Sequence, residues 1–223
     1  RDREGFDPQV VTSRGHTLHV LPAVDQPGFE SPSEPPHAAW LGCSQQSDAA
    51  DCEAVLQTIG PLDWLVVDHY ALDVRWEQRM RSYTHNVFAI DDLADRTHHC
   101  DLLLDQNFLP QMRSRYLGLA PQHWHTLLGP KYALLRPEFA KTRDNLPQRD
   151  GHVRRIFVFF GGADSRNMTG KALAAIAQLD RPEIAVDVVI GSAHPFKQEL
   201  YARAEALPQV ACHEQVADMD ALM

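Results

Sequence analysis

The amino-acid sequence predicts an α/β protein in which helices cover parallel β-sheets, divided between two domains. Short apolar runs rich in Val, Ile, Leu and Phe alternate with longer amphipathic stretches along the chain. This alternation is typical of parallel strands joined by helices that pack on the sheet. The 223 residues are enough for one large core or two modest ones, because domains of about 100 to 150 residues are the commonest size.

Six apolar runs are each short enough to be a buried strand. They are residues 17–21, 64–67, 87–90, 102–104, 156–160 and 185–190. Four other stretches carry apolar residues at three- and four-residue spacing and predict helices: residues 48–59, 73–83, 166–179 and 195–207. Asp48 and Asp73 begin the first two helices as expected N-caps, because a short acidic side chain accepts from the free amides of the first turn.

Two segments interrupt this pattern. Residues 25–36 contain four prolines, a glycine and two serines, so we expect a surface loop rather than a helix or a central strand. Residues 141–155 contain Pro147, Gly151 and many charged side chains, and a fresh strand follows at Ile156. This second break predicts an N-terminal domain of residues 1–145 and a C-terminal domain of residues 152–223.

Composition and charge narrow the range of partners. The chain contains 21 Lys and Arg against 30 Asp and Glu, a net charge of −9, which argues against nucleic acid or an anionic membrane as the main partner. A local basic pocket for a phosphorylated metabolite stays open. No apolar run reaches the length of about 20 residues that spans a bilayer, and no targeting segment is visible. The four cysteines show no CxxC spacing, so reduced thiols in the cytoplasm are a simpler interpretation than a zinc site or a disulfide scaffold.

Ligands of open parallel sheets bind beyond the carboxyl ends of the strands, and three strand ends in this sequence carry polar residues. The first delivers Asp68, His69 and Tyr70 in succession. An acid, an imidazole and a phenol can bind a sugar or exchange protons. Alternatively, Asp68 caps the next helix and Tyr70 packs against it.

The second strand end carries the paired acids Asp91 and Asp92. Paired carboxylates can share a proton, bind a metal or hold a sugar hydroxyl, and we expect at least one of the two to have a structural role. Four side chains that follow lack the spacing of a metal site and are expected to be solvated loop residues: Asp95, His98, His99 and Cys100.

The third strand end carries a pair of glycines, Gly161 and Gly162, followed by Asp164 and a helix that begins near Asn167 or Met168. A strand, a glycine turn and a helix let backbone amides approach a phosphate closely. The full GxGxxG pattern is absent, which disfavours a dinucleotide cofactor, and a tight structural turn is the alternative.

Four blocks of sequence, taken together and in order, carry a resemblance to a known enzyme family. They read VDHYALD at 67–73, IDDLADR at 90–96, DLLLDQN at 101–107 and LGPKYALLRPEF at 128–139, and FGGAD at 160–164 and NMT at 167–169 continue them. The chain resembles the PseG family, the UDP-2,4-diacetamido-2,4,6-trideoxy-β-L-altropyranose hydrolases of pseudaminic acid synthesis. The order and spacing of the blocks are more specific than any one block.

The resemblance implies a fold and a reaction. The fold is similar to that of the GT-B glycosyltransferases, with two Rossmann-like domains, UDP held mainly by the second and the sugar in the cleft. Water attacks the anomeric carbon and releases UDP and the free sugar, and no metal or redox cofactor is expected. We expect a monomer whose partner is a UDP-sugar, without nucleic acid or membrane. Two alternatives stay open: a glycosyltransferase that uses a UDP-sugar donor, and a nucleotide-sugar-binding chain without turnover.

The resemblance also assigns roles to residues of the first domain. It places Tyr70 close to the reacting sugar, with Asp68 and His69 supporting that strand end. Asn107 is expected to bond an acetamido group, and Arg136 is expected to face phosphate across the cleft.

In the second domain, Gly161, Gly162 and Asp164 match the family's turn at the end of the first strand. The family's catalytic histidine lies in a Gly-x-Gly-His-x-x-x-Arg loop that this sequence lacks. His16 follows Gly15 but precedes a predicted strand, so the role is not carried onto it. The family's Gly-Ala-Gly-Gly-Ser/Thr loop is also missing. We therefore expect both domains to be incomplete and this chain by itself to be inactive.

Overall fold

The computed structural model describes residues 8–23, 35–119, 124–146, 148, 150–214, 216 and 218–223 of the chain. The chain divides into two compact units, Arg1–Leu134 and Leu135–Met223. Each unit contains a parallel sheet with helices packed against it, which confirms the predicted α/β class. The predicted loop at residues 25–36 lies outside the described residues except for Pro35 and Pro36. Within the described ranges, no helix is long and apolar enough to cross a membrane.

The first unit contains a four-stranded sheet. In chain order its elements are α1 (Gln9–Thr12), α2 (Gln45–Ile59), β1 (Leu62–Val67), α3 (Val74–Met80), β2 (Thr84–Ile90), β3 (Leu102–Asp105), α4 (Met112–Arg115) and β4 (His125–Leu128). Short 3-10 turns lie at Ala38–Trp40 and Pro130–Tyr132. The strands are all parallel and lie in the order β1-β2-β3-β4, so their carboxyl ends share one edge of the sheet.

The core of the first unit forms where α2 and α3 meet the sheet. Trp76 and Met80 of α3 belong to one buried cluster with Val87 of β2 and Leu103 of β3. Full burial of a large apolar side chain stabilises a fold by about 1.5 to 3 kcal/mol. This cluster therefore stabilises the strands whose carboxyl ends carry the polar turns.

The two predicted helix caps have different outcomes. Asp73 caps α3 as predicted, its carboxylate accepting from a first-turn amide at 2.9 Å. Helix α2 instead begins after Ser44, whose hydroxyl accepts from a first-turn amide at 3.1 Å. Asp48 is buried and accepts from the indole nitrogen of Trp76 at 3.0 Å. The predicted cap at Asp48 is wrong because this carboxylate joins α2 to α3.

Strand prediction succeeded for the three strands of the first unit that contain apolar runs. The runs at 64–67, 87–90 and 102–104 fall within β1, β2 and β3. Strand β4 has no predicted counterpart because its residues are exposed or half-buried and no apolar run marks it. The strand predicted at residues 17–21 is wrong: these residues form no strand, and Val20 is 53% exposed without a core to cover it.

The second unit contains a three-stranded parallel sheet in the order β5-β6-β7. Its elements are α5 (Pro137–Asp144), β5 (Arg155–Val158), α6 (Met168–Gln178), β6 (Ala185–Ile190), α7 (Lys197–Glu205) and β7 (Val210–Glu214). Val186, Val188 and Ile190 of β6 are buried against Leu173 of α6 and Leu200 of α7. The edge strand β7, like β4, is half-exposed and escapes the apolar pattern.

The division between the units falls earlier in the chain than the break at residues 141–155. Helix α5 belongs to the second unit, where the Thr142 hydroxyl donates to Asp220 Oδ2 at 2.6 Å. A boundary read from composition alone misses this contact, because Thr142 and Asp220 are far apart in sequence.

Candidate functional site

The polar turns after β1, β2 and β3 lie side by side. In the parallel register, Val67 of β1 pairs with Ala89 of β2, and Ile90 of β2 pairs with Leu104 of β3. The residues that follow these pairs leave the sheet at the same edge. This is the edge at which parallel α/β sheets bind their ligands.

Asp92, in the turn after β2, links the turns after β1 and β3. The Tyr70 hydroxyl donates to Asp92 Oδ1 at 2.7 Å, and the Asn107 side-chain amide donates to Asp92 Oδ2 at 2.8 Å. An ionised carboxylate only accepts, so it can hold both donors at once. Tyr70 and Asn107, expected from the sequence to serve one site, are thus bonded to a single side chain to which the sequence assigned no definite role.

The Tyr70 phenol stays protonated near neutral pH. Its hydrogen bond to Asp92, followed by partial burial, raises the pKa of Tyr70 to about 12. The Arg96 guanidinium carbon lies 5.8 Å from the centre of the Tyr70 ring, which adds a cation–π contact. Because the proton is directed at Asp92, the phenol oxygen keeps its lone pairs for a ligand's donor groups.

Asp91 has a structural environment although it adjoins Asp92. It is buried, and Arg96 Nη1 donates to its Oδ1 at 2.7 Å while the Ala94 amide donates to Oδ2 at 3.0 Å. Burial alone would raise the pKa of Asp91, but hydrogen bonding to His98 and the Arg96 charge hold it well below its usual range. This agrees with the expectation that one of the paired acids is structural.

His98 supports Asp91 from within the core, so its predicted place in a solvated loop is wrong. The side chain is 3% exposed, and its Nδ1 lies 2.8 Å from Glu77 Oε1. Burial lowers the pKa of His98, but the carboxylates of Asp91 and Glu77 outweigh it and raise the pKa to about 9. Cys100 is also fully buried. Polar residue types in this segment suggested exposure to solvent, but two of them belong to a buried charged network or to the core of the unit.

A second buried acid fixes the turn that carries Asn107. The Asn107 backbone amide donates to Asp105 Oδ1 at 3.1 Å. Arg115 of α4 pairs with the other oxygen of Asp105 and also donates to the backbone carbonyl of Asp92 at 2.8 Å. Arg115 thereby ties the turn after β2 to the turn after β3. Nothing in its sequence neighbourhood pointed to this role.

Asp68 and His69 line a small cavity beside Tyr70. The cavity measures about 250 Å³, and Trp40 completes its lining. The Ala71 amide donates to His69 Nδ1 at 3.1 Å, which fixes the imidazole within the turn. Asp68 is exposed and does not cap α3, because Asp73 does. Asp68 therefore borders the cavity and does not serve as a helix cap.

The glycine turn of the second unit follows β5 as predicted, and Gly161 uses a positive φ of 83° that suits glycine. Asp164 accepts from the amides of Met168 at 2.9 Å and Thr169 at 2.8 Å. Although burial opposes it, these bonds lower the pKa of Asp164 to about 2. Asp164 thus occupies the position at the α6 N-terminus that an anion would take. A phosphate would meet the glycine turn rather than the helix.

A second glycine turn touches the first. Gly191 follows β6, and a Cβ on it would lie 2.2 Å from the carbonyl oxygen of Gly162, so only glycine fits. Both turns border a cavity of about 390 Å³ that is otherwise lined mainly by apolar side chains. His194, in the same turn, is buried and lies 3.5 Å from Asp164. No sequence motif pointed to Gly191 or His194.

Arg136 lies at the N-terminal end of α5 in the second unit, with its guanidinium 5.4 Å from the ring centre of Phe139. It is exposed, and its expected contact with phosphate stays a prediction. In the described part of the chain, no group of three or more His, Cys, Asp and Glu side chains is arranged to hold a metal ion.

No family model matches the chain. The chain is similar to the UDP-2,4-diacetamido-2,4,6-trideoxy-beta-L-altropyranose hydrolase of Campylobacter jejuni, with 28% identity over 160 residues, which cover 70% of this chain and 55% of that enzyme. The resemblance to the PseG-type hydrolases is confirmed.

Two further relatives extend this comparison. The spore coat polysaccharide biosynthesis protein SpsG of Bacillus subtilis is 35% identical over 96 residues, 43% of this chain and 28% of that protein. An uncharacterized protein of Methanocaldococcus jannaschii is 24% identical over 157 residues, 69% of this chain and 32% of that protein. The chain thus spans about half, or less, of the length of the curated relatives it matches.

The PseG-type resemblance and the geometry meet in the first unit. Of the residues it singles out there, Tyr70 and Asn107 are brought together through Asp92, while Asp68 and His69 line the cavity next to Tyr70. The catalytic and binding roles that the resemblance implies for these residues remain predictions.

Proposed function

We propose that this chain is part of a nucleotide-sugar hydrolase that releases UDP and a free 2,4-diacetamido-2,4,6-trideoxy sugar by attack of water at the anomeric carbon, in pseudaminic acid biosynthesis. The observation that carries the proposal is the Asp92 carboxylate, which holds Tyr70 and Asn107 together at the ligand-binding edge of the sheet. Similarity to a hydrolase of a UDP-linked diacetamido sugar supports the choice of substrate. We expect the enzyme to act as a cytoplasmic monomer.

The proposed sugar contacts follow from the hydrogen bonds already made. Because the Asn107 amide nitrogen donates to Asp92, its carbonyl oxygen is directed outward as an acceptor for an acetamido N–H. The Tyr70 oxygen, whose proton is directed at the same carboxylate, accepts from a second N–H or a hydroxyl. Two fixed acceptors side by side suit a sugar with an N–H at more than one carbon.

The proposed phosphate contacts lie in the second unit. Backbone amides of the Gly161–Gly162 turn offer donors that approach a diphosphate closely, and Arg136 supplies a cation. Stabilising the departing UDP needs such donors, because negative charge develops on the leaving oxygen. Asp164 contributes by shaping the turn through its bonds to α6 and not by touching phosphate itself.

Attack by water also needs a general base. Tyr70, with a pKa of about 12, keeps its proton at neutral pH and does not serve. The family resemblance gives this role to a histidine in a glycine-rich loop that the 223 residues do not contain. We therefore propose that this chain by itself binds the sugar nucleotide without turning it over.

The test is incubation with UDP-2,4-diacetamido-2,4,6-trideoxy-β-L-altropyranose while UDP and free sugar are followed by chromatography. The 223-residue chain is expected to bind the substrate and release neither product. A longer form that adds the histidine loop is expected to release both in equal amounts. Consumption of substrate only after a sugar or lipid acceptor is added would instead establish a glycosyltransferase, and hydrolysis by the 223-residue chain would refute the assignment of the base.

A further inference from the structure

Two aromatic side chains in the first unit stand beside Tyr70 and take no part in the contacts proposed so far. The 3-10 turn Ala38–Trp40 brings Trp40 to 5.7 Å from the Tyr70 ring, measured between ring centres, and His37 to 5.8 Å. The His37 and Trp40 rings are themselves 4.8 Å apart, and the three rings are tilted by 49° to 56°. These separations lie in the range of favourable aromatic contact.

Trp40 is 54% exposed although it belongs to this cluster. Its exposed surface borders the cavity of about 250 Å³ whose other lining residues are Asp68, His69 and Tyr70. The cavity is therefore lined by an apolar aromatic side chain together with polar ones, the composition of a small-molecule subsite. Its volume equals that of roughly eight water molecules, which suits one sugar ring better than an entire nucleotide sugar.

The wall is held in place independently of a ligand. His37 Nε2 lies 3.5 Å from Asp95 Oδ2, which fixes one end of the cluster. Tyr70 is anchored at the other end by Asp92 at 2.7 Å. Trp40 packs against both of these rings, which also contact each other, so little further ordering is needed when a ligand covers it.

We propose that Trp40, buttressed by His37, forms the apolar wall of the sugar subsite and selects a pyranose that carries a methyl group in place of the C6 hydroxymethyl group. This inference rests on the proposed function and adds the residue that recognises the deoxy position. An indole face attracts C–H and methyl groups, whereas a hydroxyl pressed against it loses water without gaining a hydrogen bond. Tyr70, which lines the same cavity, supplies a polar contact to the ring beside this apolar wall.

The experiment measures binding of neutral methyl glycosides to the 223-residue chain by saturation-transfer NMR. The matched probes are the methyl glycosides of 2-acetamido-2,6-dideoxyglucose and of N-acetylglucosamine, which differ only in the C6 hydroxyl. UDP is the probe for the second unit. The variants are Trp40→Ala, Trp40→Phe and, as a control, Trp64→Ala, because Trp64 is similarly exposed at 51% but lies on β1 and does not line this cavity.

We expect the wild-type chain to prefer the 6-deoxy probe, with its C6 methyl protons receiving strong saturation. Trp40→Ala is expected to weaken binding of that probe about five- to tenfold and to abolish the preference, whereas Trp40→Phe keeps most of both. Trp64→Ala is expected to match wild type, and UDP binding to be the same in all variants.

Three results would overturn the inference: equal affinity of wild type for the two probes, failure of wild type to bind either, or an equal loss in Trp40→Ala and Trp64→Ala. If the preference depends on Trp40 but the longer, histidine-bearing form does not hydrolyse the UDP-linked diacetamido sugar, the proposed function fails while the sugar wall stands. If the longer form hydrolyses the substrate but sugar binding does not depend on Trp40, the proposed function stands and the sugar wall fails.

Discussion

Adjacent acids at one strand end are separated into different roles by their partners. Asp91 points into the core and is neutralised by Arg96 and His98, whereas Asp92 points along the sheet edge to Tyr70 and Asn107. In sequence, the two acids differ only in that neighbouring residues of a strand face opposite sides of the sheet. The sequence was enough to predict that one of the two acids is structural. Only the contact with Asn107, in the turn after the next strand, identifies Asp92 as the acid at the site.

Asp92→Asn tests whether the Asp92 carboxylate positions Tyr70 and Asn107 by accepting a hydrogen bond from each. An amide cannot accept on both sides, so either Tyr70 or Asn107 must lose its bond. We expect the pKa of Tyr70 to fall from about 12 toward its ordinary value of 10, and sugar binding to weaken roughly tenfold. Tyrosine titration by ultraviolet absorbance, assigned with Tyr70→Phe, measures the change. Asp63→Asn, at an exposed site on β1, is the control, and an unshifted Tyr70 would contradict the role of Asp92.

His98→Gln tests the buried charge network by its pH dependence. The pKa of His98 is raised from 6.5 to about 9 in the fold, chiefly by Asp91 and Glu77 against the effect of burial. The folded state therefore binds the proton more tightly, and this stabilisation is complete below pH 6.5 and is lost as pH rises through 9. We expect the variant to be less stable at pH 6 by roughly 2 to 3 kcal/mol.

Urea unfolding at pH 6 and at pH 9.5 measures this effect, with His85→Gln as the control because His85 is exposed. The deficit of His98→Gln relative to wild type is expected to shrink between these two pH values. A deficit that stays constant with pH would mean that His98 stabilises the fold by packing and not by its charge.

At the scale of elements, the presence of an apolar run decided which strands the sequence revealed. Strands β1, β2, β3, β5 and β6 all contain such runs and were predicted, although β1 and β5 are edge strands. The edge strands β4 and β7 contain polar residues such as His125, Thr126 and His213, so no apolar run marks them. The helices α2, α3, α6 and α7 were predicted by their spacing, although their ends were placed up to a few residues away because capping depends on neighbours such as Ser44.

Asp164→Ala tests whether the start of α6 depends on the carboxylate that precedes its N-cap residue, Asn167. Removing the acceptor of the Met168 and Thr169 amides is expected to destabilise the second unit by about 1 to 2 kcal/mol. Asp164→Asn keeps an acceptor and tolerates the positive φ of 33° at this residue, so it is expected to lose less. Thermal unfolding followed by circular dichroism measures both. Because Asn keeps only one of the two acceptor oxygens, equal loss in the two variants would mean that one hydrogen bond alone does not support the start of α6.

At the scale of the whole molecule, the net charge of −9 opposes the approach of a UDP-sugar, whose diphosphate is also negative. Asp68 and Asp92 add accessible acid at the edge where the sugar is proposed to bind, whereas Asp91 and Asp105 there are buried and paired with Arg96 and Arg115. Favourable contacts with phosphate must therefore come from a few local donors, and the global field works against association.

The association rate of UDP should consequently rise with salt. Screening shortens the reach of the repulsion from about 30 Å at 0.01 M ionic strength to about 8 Å at 0.15 M, so we expect the rate constant to increase about twofold across this range. Stopped-flow tryptophan fluorescence measures it, and the neutral 6-deoxy methyl glycoside serves as a control whose binding is indifferent to salt. A rate that falls with salt would show that a basic patch around the phosphate site, and not the overall charge of −9, governs the encounter.

Reversing the charge of Arg136 by Arg136→Glu separates the two contributions, because it slows association at every ionic strength if that residue meets the phosphate.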